Sequence, residues 1–82
     1  MFDRKLKQTN EFALLFSKLD APTALGVAIK LKVDLFYNDV LDENGKPMPR
    51  SGESILEDCI VKFHNLNRAE RRALIKILKA KV

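Results

Sequence analysis

The chain's one cysteine and one histidine are the residues with the most obvious chemistry, a nucleophile and a base. Cys59 and His64 lie five residues apart in a segment with helical periodicity, so their side chains point about 140° away from one another on a helix. They cannot form a catalytic pair in that geometry. Cys59 also shares an apolar stripe with Ile55 and Phe63, and free cysteine behaves as a small hydrophobe. We therefore expect Cys59 in the core and His64 at the surface near a helix end.

The acidic residues Asp42 and Glu43, followed by Asn44-Gly45, have the composition of part of a calcium-binding loop. If Gly45 took the sixth position of an EF-hand loop, Val40 would take the first and Ser51 the twelfth. That register lacks both the first carboxylate and the bidentate glutamate that hold the ion. A plain Asn-Gly turn is the better interpretation.

The other polar groups do not form a catalytic or cofactor-binding pattern. Glu57 and Asp58 are adjacent and diverge on a helix, so they do not make an acid–base pair. The sequence has no glycine-rich phosphate loop, and a stand-alone catalyst of this size would need convergent polar groups in a pocket. It predicts a binding protein that is not an enzyme, with no catalytic residue, metal, cofactor or small-molecule substrate.

Residues 67–82 predict a short amphipathic helix that carries the net positive charge of the chain. They hold six Lys or Arg and one Glu, whereas the other 66 residues sum to a charge of −1. Asn67 and Glu70 have the spacing of a capping box, which places the helix start at Arg68. The residues predicted to bind nucleic acid or a protein partner are Arg68, Arg71, Arg72, Ile75, Lys76 and Lys79.

Two binding functions compete for this helix. The stripe of Arg68, Arg72, Lys76 and Lys79 would follow the phosphates of a nucleic acid, with little base readout, and this is the narrowly favoured specific function. Alternatively, a protein partner or a second copy of the chain covers the helix edge at Ile75, an apolar residue among cations. The plain alternative to both is a solvated face, or one that pairs with the acidic middle of the chain.

Length and composition predict one small domain. Eighty-two residues, 46% of them apolar, are enough for a core but bury little surface, so stability should be marginal without self-association. The longest apolar runs, 12–16 and 24–29, are far shorter than the ~20 residues that cross a membrane. A lone cysteine excludes an internal disulfide and fits a reducing cytosol. We expect a cytoplasmic protein with no membrane partner.

Hydrophobic periodicity predicts an all-α fold, a compact four-helix domain over residues 10–82 that follows a flexible lead-in at 1–9. Whether those first nine residues fray or extend the first helix by a turn or two stays open. The four helices are predicted near 10–19, 22–33, 52–65 and 68–80. The predicted core consists of Phe12, Phe16, Leu25, Ile29, Ile55, Cys59, Phe63, Leu74, Ile77 and Leu78.

Residues 29–37 carry two conflicting signals, and helix or strand stays open there. Ile29 to Leu35 alternates apolar and charged residues as a half-buried strand would. Helix is favoured to Val33, because a lone strand would leave its backbone donors and acceptors unmatched. Residues 38–51 are rich in turn-forming and acidic residues and predict one long acidic loop between the second and third helices.

Several helical segments together carry a family resemblance. They are Leu25-Gly26-Val27-Ala28 with Lys32-Val33, Ile55-Leu56 through Phe63, Leu66-Asn67-Arg68, and Arg71-Arg72 before Leu74-Ile75-Lys76-Ile77-Leu78-Lys79. Through these the chain resembles small uncharacterised helical proteins encoded by prophages and mobile elements of Gram-positive bacteria. The resemblance spans residues 10–80 and implies a bacterial or phage cytoplasmic context and helix over 24–33. It implies no activity and no site residues.

Overall fold

The computed structural model describes residues 4–82, which form four helices and one β-hairpin. In chain order the elements are α1 Arg4–Ser17, α2 Ala21–Lys30, β1 Phe36–Leu41, β2 Pro47–Pro49, α3 Gly52–His64 and α4 Arg68–Lys81. The protein is therefore mostly helical, as predicted. It is not the pure all-α bundle that the periodicity indicated, because a hairpin occupies the region between α2 and α3.

Local capping sets the starts of α3 and α4 where the sequence predicts them. The Ser51 side chain accepts a hydrogen bond from the Ser54 N–H at 3.1 Å. The Glu70 N–H donates to the Asn67 side chain at 2.8 Å, and the Asn67 N–H donates to the Glu70 carboxylate at 3.1 Å. This reciprocal pair satisfies two N–H groups that a helix start otherwise leaves unbonded, so the predicted capping box is confirmed.

Helix α1 begins at Arg4, six residues before the predicted helix start at residue 10. Residues 4–9 of the predicted lead-in are thus helical, and residues 1–3 lie outside the described part of the chain. Thr9 is buried, and the Gln8 side chain accepts a hydrogen bond from α4. These contacts with distant parts of the chain hold a polar segment in helical form, and local composition does not reveal them.

Helix α2 ends at Lys30, earlier than the predicted end near Val33. Lys32 has a left-handed φ of 61°, and its N–H donates to the Ile29 carbonyl at 2.9 Å. The Val33 N–H donates to the Ala28 carbonyl at 2.9 Å, which completes a Schellman motif. Val33 is buried there, so an apolar residue of the alternating pattern packs into the core from a turn rather than from a strand.

Lys32→Gly should raise the free energy of unfolding by roughly 0.5–1 kcal/mol, because glycine adopts a left-handed φ without the steric cost that a side chain incurs. Urea denaturation followed by circular dichroism measures the change. Lys30→Gly, two residues earlier inside the helix, is the matched control and should lower stability by about 1 kcal/mol. A loss of stability in Lys32→Gly would contradict the left-handed cap.

The antiparallel hairpin β1–β2 lies mostly within the predicted acidic loop at 38–51, and β1 begins two residues before that loop. Phe36 pairs with Pro49 and Leu41 pairs with Pro47, so the register shifts within β1 as at a bulge. The prediction of a continuous loop was wrong. The strand was missed because β2, Pro47-Met48-Pro49, has neither the alternation nor the β-forming residues that usually indicate a strand. Its prolines also lack the N–H groups that pair strands.

The hairpin tip is the Asn-Gly turn that the sequence predicts. Gly45 has a φ of 77°, a conformation that favours glycine. The Asp42 carboxylate accepts hydrogen bonds from the Asn44 N–H at 2.8 Å and the Lys46 N–H at 2.9 Å. Asp42 thus organises the turn, which gives this acidic residue a structural role.

The core forms where α1 packs against α3 and α4. Its buried apolar side chains are Phe12, Phe16, Val27, Ala28, Leu31, Val33, Ile55, Cys59, Phe63, Leu74, Ile75 and Leu78. In the part of the chain that the structure describes, every helix is too short or too polar to cross a membrane.

Three predicted core residues, Leu25, Ile29 and Ile77, are exposed, so their assignment to the core was wrong. On α2 the buried side chains are Val27 and Ala28, and the Schellman turn adds Leu31 and Val33. Because that turn fixes which side of α2 meets α3, the face that carries Leu25 and Ile29 points to solvent.

Candidate nucleic-acid interface

Helix α4 presents a row of four basic side chains to solvent. We define the cationic face as Arg68, Arg72, Lys76 and Lys79, all of which are exposed. At 1.5 Å per residue the row extends for about 16 Å along the helix. Lys79 Nζ lies 3.2 Å from Glu11 Oε2 of α1, and both side chains are partly exposed. The face is therefore strongly positive, with one carboxylate at its border.

An open groove of about 470 Å³ runs between the cationic face and α1. Its lining residues are Gln8, Glu11, Arg72, Ala73, Ile75, Lys76 and Lys79. Three cations of α4 thus border a concave strip in which Glu11 is the only carboxylate among the lining residues described. A strip with this charge attracts an extended anionic chain by Coulomb forces at its surface.

Arg71, a predicted binding residue, is 9% exposed and belongs to the interior. Its Nε donates to Gln8 Oε1 of α1 at 2.9 Å, and its Nη1 donates to the Leu66 carbonyl in the turn before α4. The guanidinium therefore fastens α4 to α1 and to the α3–α4 junction. The expectation that Arg71 lies on the binding surface is corrected: these hydrogen bonds occupy it.

Ile75, the other corrected residue, is only 7% exposed. The buried positions of α4 are Arg71, Leu74, Ile75 and Leu78, which follow the i, i+3, i+4, i+7 spacing of a packed helix face. The helical wheel predicts an apolar half that consists of Ala69, Ala73, Leu74, Ile77, Leu78 and Ala80, and the three alanines and Ile77 of that half are exposed. Counting the large aliphatic side chains and the apolar stem of arginine would have located the buried face.

Arg71→Ala should lower the free energy of unfolding by about 1–3 kcal/mol, because the Leu66 carbonyl and the Gln8 amide lose a buried partner. Arg71→Lys should recover little of that loss, since one ammonium cannot reproduce the guanidinium fork. Chemical denaturation measures both. Arg72→Ala, an exposed neighbour, should change stability by no more than about 0.5 kcal/mol. Equal losses in the two alanine variants would refute the structural role of Arg71.

The acidic hairpin does not neutralise the cationic face. Within residues 4–82, no ion pair joins α4 to an acidic residue of the hairpin. Arg50, at the hairpin base, donates instead to the Asp58 carboxylate of α3 at 2.7 Å and to the Asp34 carbonyl at 2.9 Å. The basic helix and the acidic hairpin are thus separate charged surfaces in this fold.

No protein-family model matches the chain, and neither curated proteins nor solved structures gave a match. We therefore infer function from the geometry and charge of the described residues alone.

Cys59 and His64 occupy separate environments. Cys59 is fully buried, as predicted, and this burial raises the pKa of its thiol to about 11, with the charge of Asp58 adding to the increase and that of Arg50 opposing it. The nucleophilic thiolate is consequently a minor form at neutral pH. His64 Nδ1 lies 3.1 Å from Thr9 Oγ1 of α1. Among residues 4–82, no three His, Cys, Asp or Glu side chains are grouped so as to hold a metal ion.

Proposed function

We propose that the protein is a non-enzymatic nucleic-acid-binding accessory protein whose cationic face contacts the phosphate backbone. The observation that supports this most directly is the row of four exposed cations on α4. Ile75, which was expected to stand among those cations as an exposed apolar group, is buried. A surface of charged groups suits a polyanion better than a protein partner, because the centre of a protein interface is depleted in charge.

The chemistry of the cationic face favours contact with phosphates over readout of bases. Each arginine or lysine that neutralises a phosphate releases condensed counterions, and this term does not depend on sequence. The face has no Asn or Gln of the kind that reads adenine, and its cations would be occupied by the backbone. Binding should therefore be weak, salt-sensitive and tolerant of sequence.

Salt dependence is the first test. If about four phosphates are neutralised, log K against log salt on duplex DNA should have a slope of roughly −3 to −4. The fluorescence anisotropy of labelled duplex and of labelled single strand, each titrated at about 50 and 200 mM salt, gives that slope. Two duplexes of unrelated sequence should bind alike. Absence of binding at the lower salt, or a slope near zero, would refute the proposal.

The alternative function of α4 is contact with a protein partner or a second copy that covers Ile75. It depended on Ile75 being exposed. Burial of Ile75 leaves no apolar edge at that position for a partner to cover. The prophage or mobile-element context stays a prediction from the resemblance described above.

A further inference from the structure

The β-hairpin lies outside the core and exposes an unusual amount of apolar surface. Every residue from 36 to 49 is exposed. The large apolar residues among them are Phe36, Tyr37, Val40, Leu41 and Met48. A two-stranded hairpin on its own is marginally stable in water, and grouped exposed apolar side chains mark interaction surfaces. The hairpin should therefore pack against a partner.

The edges of the hairpin are poorly suited to strand addition. In β2, Pro47 and Pro49 have no N–H to donate to a further strand. In β1, the register shift between Phe36 and Leu41 interrupts the regular ladder, as bulges do at protected edges. A partner would consequently contact the side chains on the faces of the hairpin.

The whole molecule also has more surface than a compact monomer of its mass. Its accessible surface is 6008 Å², whereas a compact 9.4 kDa protein exposes about 5000 Å². Its radius of gyration is 14.0 Å, against about 12 Å for a compact domain of this length. The molecule is therefore less compact than a typical monomer of its length.

A second exposed apolar surface lies on the side of α4 that faces α2. We define the α2–α4 groove as two adjoining depressions of about 210 and 250 Å³ that share Lys30, Leu74 and Ile77. The remaining lining residues are Thr23, Gly26, Val27, Leu31, Leu66, Glu70, Ala73 and Lys81. Exposed Ile77 thus lies in a mostly apolar groove that is bordered by two lysines and one glutamate.

The hairpin and the α2–α4 groove both expose apolar side chains, and they carry opposite net charges. The hairpin carries Asp39, Asp42, Glu43 and Lys46 beside its apolar residues, a net charge of −2, whereas Lys30, Lys81 and Glu70 give the groove a net charge of +1. Two hairpins packed on one another would instead bring carboxylates together, which is unfavourable. The partner that fits the hairpin is therefore apolar and basic, and the chain itself supplies such a surface.

We propose that the hairpin of each protomer docks in the α2–α4 groove of a second copy, which gives a reciprocal, two-fold homodimer. Reciprocal docking closes the assembly at two copies, buries both apolar surfaces and pairs the hairpin carboxylates with the groove lysines. Arg68, Arg72, Lys76 and Lys79 do not line the α2–α4 groove, so the cationic face of each protomer stays open. The dimer does not depend on nucleic-acid binding.

Light scattering after size exclusion, at up to about 100 μM protein, tests the dimer, because protein interfaces of standard size dissociate in the μM range or below. Wild type should be dimeric. Leu41→Asp in the hairpin and Ile77→Asp in the groove should each raise the dissociation constant at least tenfold. Val61→Asp, an exposed change on α3, is the matched control and should leave it unchanged. Circular dichroism verifies that each variant keeps its helices.

Two further experiments with mixed variants identify which surfaces contact one another in the dimer. Asp39→Lys/Glu43→Lys and Lys30→Glu/Lys81→Glu should each weaken the homodimer, because like charges then face one another at both contacts. An equimolar mixture of the two variants should recover dimers to about the wild-type extent, since the reversed hairpin meets the reversed groove and the unchanged hairpin meets the unchanged groove. Leu41→Asp mixed with Ile77→Asp should also associate better than either alone, because one intact hairpin then meets one intact groove. The lysine reversals keep the groove testable even if Ile77→Asp unfolds.

Three results would overturn the proposal. Wild type that is monomeric throughout the concentration range excludes a stable dimer. A dimer weakened by Leu41→Asp but not by the groove variants indicates hairpin-to-hairpin packing. Assemblies larger than two that grow with concentration indicate head-to-tail docking rather than reciprocal closure.

Discussion

Phe63→Ala should lower the free energy of unfolding by about 3–5 kcal/mol, the largest stability change that we expect in this protein. Phe63 is fully buried on α3, and its ring stacks on that of Phe12 from α1 with centroids 4.4 Å apart and planes 9° from parallel. Phe12 in turn contacts Phe16, with centroids 5.7 Å apart. Removal of the Phe63 ring would leave a cavity at the junction of α1 and α3.

The change should remove a large share of the stability, because a domain of 82 residues has a total stability of roughly 4–12 kcal/mol. Urea denaturation followed by circular dichroism measures the change. Val61→Ala, on an exposed face of the same helix, is the matched control and should alter stability by no more than about 0.5 kcal/mol. If Phe63→Ala cost as little as Val61→Ala, the stacked aromatic core would be refuted.

The parts of the fold that follow from local signals were predictable. The caps at Ser51 and Asn67 are short sequence motifs, and the structure begins α3 and α4 there. The stripe of Ile55, Cys59 and Phe63 has a helical period and is buried as expected. In each case residues close in sequence form hydrogen bonds with one another or share one face of a helix.

The parts that lack the usual local signal, or that depend on distant contacts, were not predictable. The turn after α2 places Lys32 where glycine is the usual signal, so the end of α2 was predicted too late. Strand β2 consists of Pro47-Met48-Pro49, a composition that predicts a loop. The start of α1 relies on Thr9 and Gln8 contacting residues more than fifty positions away.

The positive charge of the candidate site was predictable from the sequence. Which residues of α4 face outward and which are buried was not. The outward direction of Arg72 and Lys76 follows from their polarity alone. The positions of Arg71 and Ile75 depend on which side of α4 meets α1, and treating alanine as equal to leucine or isoleucine shifted the expected buried face. Arg71 is also held by a carbonyl and an amide that only the folded chain brings to it.

Arg72→Glu/Lys76→Glu should weaken DNA binding at least ~100-fold, which corresponds to about 2.7 kcal/mol. These two residues lie at the centre of the cationic face, and both line the open groove between that face and α1. Each reversal removes an attraction to phosphate and adds a repulsion, so the effect should exceed that of neutralisation. Both side chains are exposed, and the variant should keep its fold.

Lys18→Glu/Lys62→Glu is the matched control, because it changes the net charge by the same amount at exposed positions elsewhere on the surface. It distinguishes an effect of the cationic face on binding from an effect of the total charge. The decisive measurement is the anisotropy titration of one labelled duplex with wild type and with both double variants at about 50 mM salt, where phosphate contacts are strong. We expect the Arg72/Lys76 variant to lose nearly all binding and the Lys18/Lys62 variant to stay close to wild type. Equal affinities of the two double variants for DNA, or an Arg72/Lys76 variant that binds as tightly as wild type, would contradict a nucleic-acid interface on α4.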